Sequence, residues 1–189
     1  IRHLDKTIDI SGDPPDPQYI NTIGGMLDWD TGKVMPHSPH YRSTVQLPVR
    51  YRPDAACPQF DKFLSGVLPA DCYEATEDSP GFIWELIGYS MYSGNPLHIA
   101  VLLHGIGRNG KGTLIRVLKA LLGSDNVSSV GLHDLTDNRF RAATLYGKLA
   151  NLAGDLDSKW IENTATFKAM TGGDTVQAEE KFGHPFDFT

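Results

Sequence analysis

The sequence has few cysteines and no long apolar run. Its 189 residues include two cysteines, Cys57 and Cys72, which form no CxxC pair and have no histidine at metal-ligand spacing. This pattern is typical of reduced thiols in an intracellular protein, and it argues against a disulfide framework or a zinc site. No stretch approaches the ~20 apolar residues of a membrane helix. We therefore expect a cytoplasmic protein that does not enter a membrane.

The sequence also lacks an excess of positive charge. It has 17 basic and 23 acidic residues, a net charge of -6. Residues 1–98 hold 13 acids and 7 bases, whereas residues 99–189 hold ten of each. An acidic total argues against a protein that coats DNA by bulk charge, although a few placed lysines can still bind it.

Internal repeats and low-complexity tracts are absent, and 40% of the residues are hydrophobic, enough for a core. The chain begins with Ile1 and stops at Thr189 within an apolar–polar alternation, so we expect a piece of a longer protein. Three parts are predicted: a linker over 1–20 that contains a PPDP run, a hairpin and helical segment over 21–95, and a third part over 96–189.

In the 21–95 segment, a β-hairpin is predicted from strands at 23–27 and 33–35 around a turn that contains Gly32. Residues 36–53 show little periodicity and are predicted to form an extended loop. Apolar residues at helical spacing predict a helix that opens at Pro58. A second helix is predicted to follow an N-cap at Ser79 and to stop at Gly94.

The second half alternates between strand and helix patterns. Residues 99–104 and 149–153 are predicted to be buried strands, the first of them parallel. Helices are predicted over 113–122, where Gly123 ends the helix, and over 132–145 and 161–170. Residues 175–188 are predicted to form a hairpin with its turn near 181–184. The alternation indicates an α/β fold.

A glycine-rich loop stands between the first of these strands and its helix. Gly105, Gly110 and Lys111 satisfy the pattern G-x-x-x-x-G-K. Glycines let backbone N–H groups turn toward phosphate oxygens, and the helix N-terminus and the lysine ammonium add positive charge. The loop therefore predicts ATP binding by Gly105, Gly107, Arg108, Asn109, Gly110, Lys111, Gly112 and Thr113.

The expected Mg²⁺ site departs from the usual pattern. The Ser or Thr that normally follows the lysine is Gly112, and Thr113 comes one position later. Either Thr113 contributes its hydroxyl, or water and an acid elsewhere hold the metal. Asp155 follows the predicted strand 149–153 and is the first choice for metal ligand or water activation, with Asp157 second.

Three ordered motifs carry a family resemblance: GIGRNGKGT, then LYGKLANLAGDLD, then FKAMTGGDTVQAEEKF. They resemble superfamily 3 helicases, specifically the helicase part of phage and plasmid primase–helicases. Three upstream segments are similar to the helical segment that precedes the motor in that family: NTIGGMLDWDTGKVMPHSP, YRPDAACPQFDKFL and WELIGYSM. The resemblance covers roughly residues 20–189.

The resemblance implies an AAA+-like P-loop ATPase core, incomplete at its C-terminus, behind a collar-like helical segment. It implies an ATP hydrolase that moves on single-stranded DNA as a homo-oligomeric, hexameric ring, in a bacterial cell or a phage-infected host. A primase domain is expected upstream in the same chain. The γ-phosphate-sensing asparagine and the neighbour's arginine are expected beyond Thr189, so weak or absent ATPase activity is expected from residues 1–189 alone.

The resemblance also implies a DNA-binding hairpin, in which Lys181 and Phe182 would contact the DNA backbone. A cation and an aromatic face suit sequence-independent single-strand binding. Lys168, Gly173 and Asp174 match the third motif, but their chemistry assigns them no role. Two other functions stay open: a P-loop phosphotransferase acting on a small molecule, and a non-catalytic assembly or loading module.

Overall fold

The structure is a computed structural model that describes residues 17–137, 139–154, 165–180 and 183–188. It is a mixed α/β arrangement with three small sheets. None of the described helices is long and apolar enough to cross a membrane. Most of the predicted linker 1–20, part of the predicted helix 161–170 and part of the turn 181–184 lie outside the described residues.

The first sheet is antiparallel and contains β1 (Tyr19–Thr22), β2 (Gly25–Asp28) and β3 (Val34–Met35). The predicted hairpin is confirmed as β2 and β3, and β1 adds a strand to it. The chain then makes a short 3-10 turn and returns to the sheet, where Leu47 forms a parallel bridge with Thr22. The predicted extended loop is thus partly paired with the sheet.

Asp28 organises the turn between β2 and β3. Its carboxylate accepts hydrogen bonds from the backbone amides of Asp30 at 3.0 Å and Thr31 at 3.2 Å. Burial opposes ionisation, but the hydrogen bonds from Thr31, Gln18 and Asp30 favour the charged form and lower the pKa of Asp28. The turn is therefore fixed by an ionised side chain.

Two helices follow, α1 (Pro58–Val67) and α2 (Phe82–Ser90). The start of α1 at Pro58 is confirmed. The prediction for α2 was wrong by a few residues at both ends. Gly81 has a φ of 96°, which is incompatible with a helix, and the Ser79 hydroxyl accepts its hydrogen bond from the Gly81 amide. Ser79 therefore caps the turn before the helix.

Helix α3 (Lys111–Leu122) confirms the predicted helix and begins two residues earlier. Gly123 ends it with a φ of 89°, as predicted, and donates its amide to the carbonyl of Lys119. One face of α3 packs against α1 and α2, and the buried members of this core are Leu64, Ile83, Leu114 and Leu118. The helical segment thus shares a core with the first helix of the 96–189 part.

The predicted buried strand 99–104 was wrong. Val101 is 39% exposed and Leu102 is 66% exposed. Among the described residues, no strand pairs with this segment. An apolar run records only a preference for the extended conformation, and a strand needs a neighbouring backbone to satisfy its N–H and C=O groups. The segment remains irregular, and Leu103 alone in it packs on the core of α1, α2 and α3.

The second predicted strand is shorter than 149–153 and is not fully buried. It is β5 (Ala150–Asn151), which pairs in parallel with the unpredicted β4 (Val127–Ser128). Between them the described residues of the predicted helix 132–145 lie in α4 (Leu132–Asp137), α5 (Arg139–Ala142) and a 3-10 turn over Ala143–Leu145. This connection makes a β–α–β unit, the expected link between parallel strands.

The C-terminal hairpin is confirmed. Helix α6 (Ala165–Gly172) leads into β6 (Val176–Glu179), which pairs antiparallel with β7 (Pro185–Phe188). A separate small core supports the hairpin, because Val176 and Ala178 pack with the buried Ala142 of α5. The hairpin is therefore attached to the β4–β5 crossover rather than to α3.

Candidate phosphate-binding loop

The loop over 105–110 curls tightly between the irregular segment and α3. Arg108 and Gly110 have φ values of 62° and 88°, in the left-handed region. A Cβ at Gly105 would collide with the side-chain amide of Asn109, which crosses the loop there. The predicted need for glycine is therefore met at both ends of the loop by backbone conformation or close approach.

The Lys111 ammonium lies at the centre of this curl. It donates hydrogen bonds to the carbonyls of Gly105 at 2.8 Å and Ile106 at 3.3 Å, and to Asn109 Oδ1 at 2.7 Å. The loop itself is open to solvent, and Ile106 is 87% exposed. The Lys111 charge is thus held where an approaching anion can reach it.

The N-terminus of α3 adds amide donors. Gly110 is the N-cap and has no side chain to satisfy them. Its carbonyl accepts from the amides of Thr113 and Leu114, while those of Lys111 and Gly112 have no backbone acceptor in the described part of the chain. Free amides at a helix N-terminus next to an ammonium favour a phosphate or a similar anion.

The structure gives the predicted Mg²⁺ role of Thr113 no geometric support. The Thr113 hydroxyl accepts a hydrogen bond from Arg116 Nη2 at 3.0 Å, so a guanidinium occupies one of its lone pairs. Gly112 offers no side chain. No cluster of three or more His, Cys, Asp or Glu that could hold a metal occurs among residues 17–137, 139–154, 165–180 and 183–188. Asp155 and Asp157 lie outside these ranges, and their roles stay predictions.

Asn151, at the end of β5, has a structural role. Asn151 Oδ1 accepts from the Ser128 hydroxyl at 2.9 Å and from the Val130 amide at 2.8 Å, and its Nδ2 donates to the Val130 carbonyl at 2.9 Å. These bonds join the end of β5 to β4 and to Val130, two residues after it.

The residues of the third motif fall into two groups. Lys181 and Phe182 lie outside the described residues, so their DNA contacts stay predictions. Gly173 has a φ of 74°, and Asp174 donates its amide to the carbonyl of Ala169, an arrangement that ends α6. Lys168 lies on α6. Gly173 and Asp174 therefore have a local structural role, and the structure assigns Lys168 no function.

Two contacts near the loop escaped the sequence analysis. Asn95 Nδ2 donates to the carbonyls of Ile99 at 3.1 Å and Thr171 at 3.2 Å, which joins the segment before the loop to α6. Phe63 and Val67 of α1 lie against Gly110. The Asn95–Thr171 contact and the contact of α1 with Gly110 connect residues far apart in sequence, so local patterns do not predict them.

Comparison with known families divides the chain into two matched parts. Residues 8–69 match a family model described as D5 N terminal like, which is found in phage and plasmid primase–helicase proteins. Residues 103–189 match a model described as a family of unknown function, DUF5906. The first match confirms the resemblance in its coarser form, for the upstream segment. Helix α1 belongs to the first matched part, and the loop 105–110 belongs to the second.

Proposed function

We propose that this chain carries the nucleotide-binding part of an ATP-driven DNA helicase motor of the phage and plasmid primase–helicase kind, built on a P-loop NTPase core. The observation that carries the proposal is the Lys111 ammonium, held inside a glycine-rich curl at the uncapped N-terminus of α3. The match of residues 8–69 to a segment found in primase–helicases supports the replication context.

In this proposal the loop binds the triphosphate of ATP. The amides at the start of α3 donate to phosphate oxygens, and Lys111 neutralises their charge once it exchanges its carbonyl partners for them. Asp155, with or without Thr113, is the proposed ligand of Mg²⁺, whose charge would assist cleavage of the γ-phosphate. Lys181 and Phe182 are the proposed contacts to single-stranded DNA in a ring of several copies.

The first test of the proposal is equilibrium binding of a fluorescent ATP analogue to the chain and to Lys111→Ala. Loss of a charge-assisted contact to phosphate is expected to weaken binding by about tenfold or more, because such bonds contribute roughly 1.5–3 kcal/mol. Lys119→Ala is the matched control, since Lys119 is an exposed lysine in the last turn of the same helix. Equal affinity for the chain and for Lys111→Ala would refute the proposed site.

The helicase part of the proposal needs a second test. ATP hydrolysis that rises on addition of single-stranded oligonucleotide supports a motor, whereas phosphate transfer to a small molecule that ignores DNA favours a phosphotransferase. Absence of ATP binding favours the assembly module, and the missing Ser or Thr hydroxyl at Gly112 gives that alternative a specific basis. Binding is the first readout, because the resemblance implies two catalytic residues that are not among the predicted site residues.

A further inference from the structure

Helix α1 forms a wall against the end of the phosphate-binding loop. A Cβ at Gly110 would lie 3.0 Å from Cε2 of Phe63 and 3.0 Å from Cγ1 of Val67. Both distances are at the lower limit of real carbon contacts. Gly110 therefore sits directly against two side chains of α1, at the residue that precedes Lys111.

The Phe63 ring is itself held from behind. It stacks on Phe60 with 5.9 Å between ring centroids, and Phe60 meets Trp84 of α2 edge-on at 5.6 Å. Phe63 also packs against the core that contains Leu64 and Leu114. The ring is thus supported by two helices on one side and faces the loop on the other, so it cannot easily yield.

Residues 105–108 of the loop lack comparable side-chain packing from the described part of the chain. Ile106 is 87% exposed, and the residues from Gly105 to Arg108 are open to solvent. Two of the loop residues, Arg108 and Gly110, have left-handed backbone conformations, which cost free energy for the non-glycine residue. The contact with α1 is therefore well placed to keep the loop in this one conformation.

We infer that Phe63 and Val67 are positioning residues for phosphate binding. They fix Gly110, and through it the direction of Lys111 and of the first amides of α3. This inference rests on the proposed function. The inference gives α1 a role in nucleotide binding, although α1 and the loop match two different family models. A loop held in its binding conformation loses less entropy when the ligand binds.

The test compares Phe63→Leu with Phe60→Leu. The two phenylalanines lie on the same helix, are similarly half-buried and pack on the same core, but of the two only Phe63 appears among the nearest contacts of Gly110. At position 63 leucine fills the core but lacks the ring atoms that reach Gly110, whereas at position 60 leucine keeps an apolar side chain packed behind the Phe63 ring. We expect Phe63→Leu to weaken binding of ATP and of inorganic tripolyphosphate about fivefold, and Phe60→Leu to leave both within about twofold.

Melting temperature separates positioning from a general loss of stability. Both leucine variants are expected to melt a few degrees lower, while only Phe63→Leu loses affinity for tripolyphosphate, which has no base or sugar. Val67→Ala is a second variant that avoids the core, because Val67 is 36% exposed. It is expected to weaken tripolyphosphate binding with little change in melting temperature.

Three results would overturn the inference. They are unchanged affinity in Phe63→Leu, unchanged affinity in Val67→Ala, or an equal loss in Phe60→Leu. Failure of the unaltered chain to bind either ligand would refute the proposed function as well. Binding by the unaltered chain therefore distinguishes failure of the positioning inference from failure of the proposed function.

Discussion

Gly110→Ala is the loop substitution expected to destabilise the protein most. The added methyl group meets the Phe63 ring and Val67 at 3.0 Å, and alanine must also adopt the φ of 88°. The left-handed conformation costs roughly 1–2 kcal/mol, and overpacking typically costs about 1–3 kcal/mol. Together they predict a loss of about 2–5 kcal/mol, or a fall in Tm on the order of 10 °C for a chain of this size.

Gly107→Ala is the control for this prediction. A Cβ at Gly107 has no atom within 4 Å, and its backbone is not left-handed. Thermal unfolding followed by circular dichroism should therefore show a change of at most about 0.5 kcal/mol for Gly107→Ala. If Gly110→Ala melts at the same temperature as Gly107→Ala, α1 does not press on the loop, and the reasoning about this contact fails.

Two further predictions concern the fold around the loop. Asn95→Ala removes the hydrogen bonds to the carbonyls of Ile99 and Thr171 and should cost about 1–3 kcal/mol in urea unfolding, because each such hydrogen bond contributes a net of about 0.5–1.5 kcal/mol; a change below about 0.5 kcal/mol would contradict this. Asp28, whose pKa is lowered in the folded state, contributes stability that is present above its ordinary value of 3.8 and lost as pH falls through the folded pKa. Asp28→Asn should therefore flatten the decline in stability below about pH 4; an unaltered decline would argue against it.

The elements that depend on local signals could be predicted. Helices α1 and α3 carry their own start or stop signals, Pro58 and Gly123, and an apolar stripe that needs only one partner surface. The phosphate loop is equally local, since seven consecutive residues contain its glycines and its lysine. For these parts a short stretch of sequence holds most of the physical information.

The remaining differences come from contacts that no short stretch contains. Residues 99–104 have the composition of a strand, but pairing depends on a neighbour elsewhere in the chain. The predicted start of α2 after Ser79 is wrong because Gly81, with a φ of 96°, is not helical and the helix begins only at Phe82. Asn95 and Phe63 act on residues 76 and 47 positions away, so the sequence could not assign them to the site.

The most direct test of the central claim follows the backbone amides during addition of ATP. In ¹H–¹⁵N correlation spectra of the 20.8 kDa chain, the largest shifts should fall within residues 105–113, with Lys111 and Gly112 among them. Lys111→Ala should shift the titration midpoint of these changes to about tenfold higher ATP concentration or more. Shifts centred elsewhere, or none in 105–113 at saturating ATP, would contradict the account.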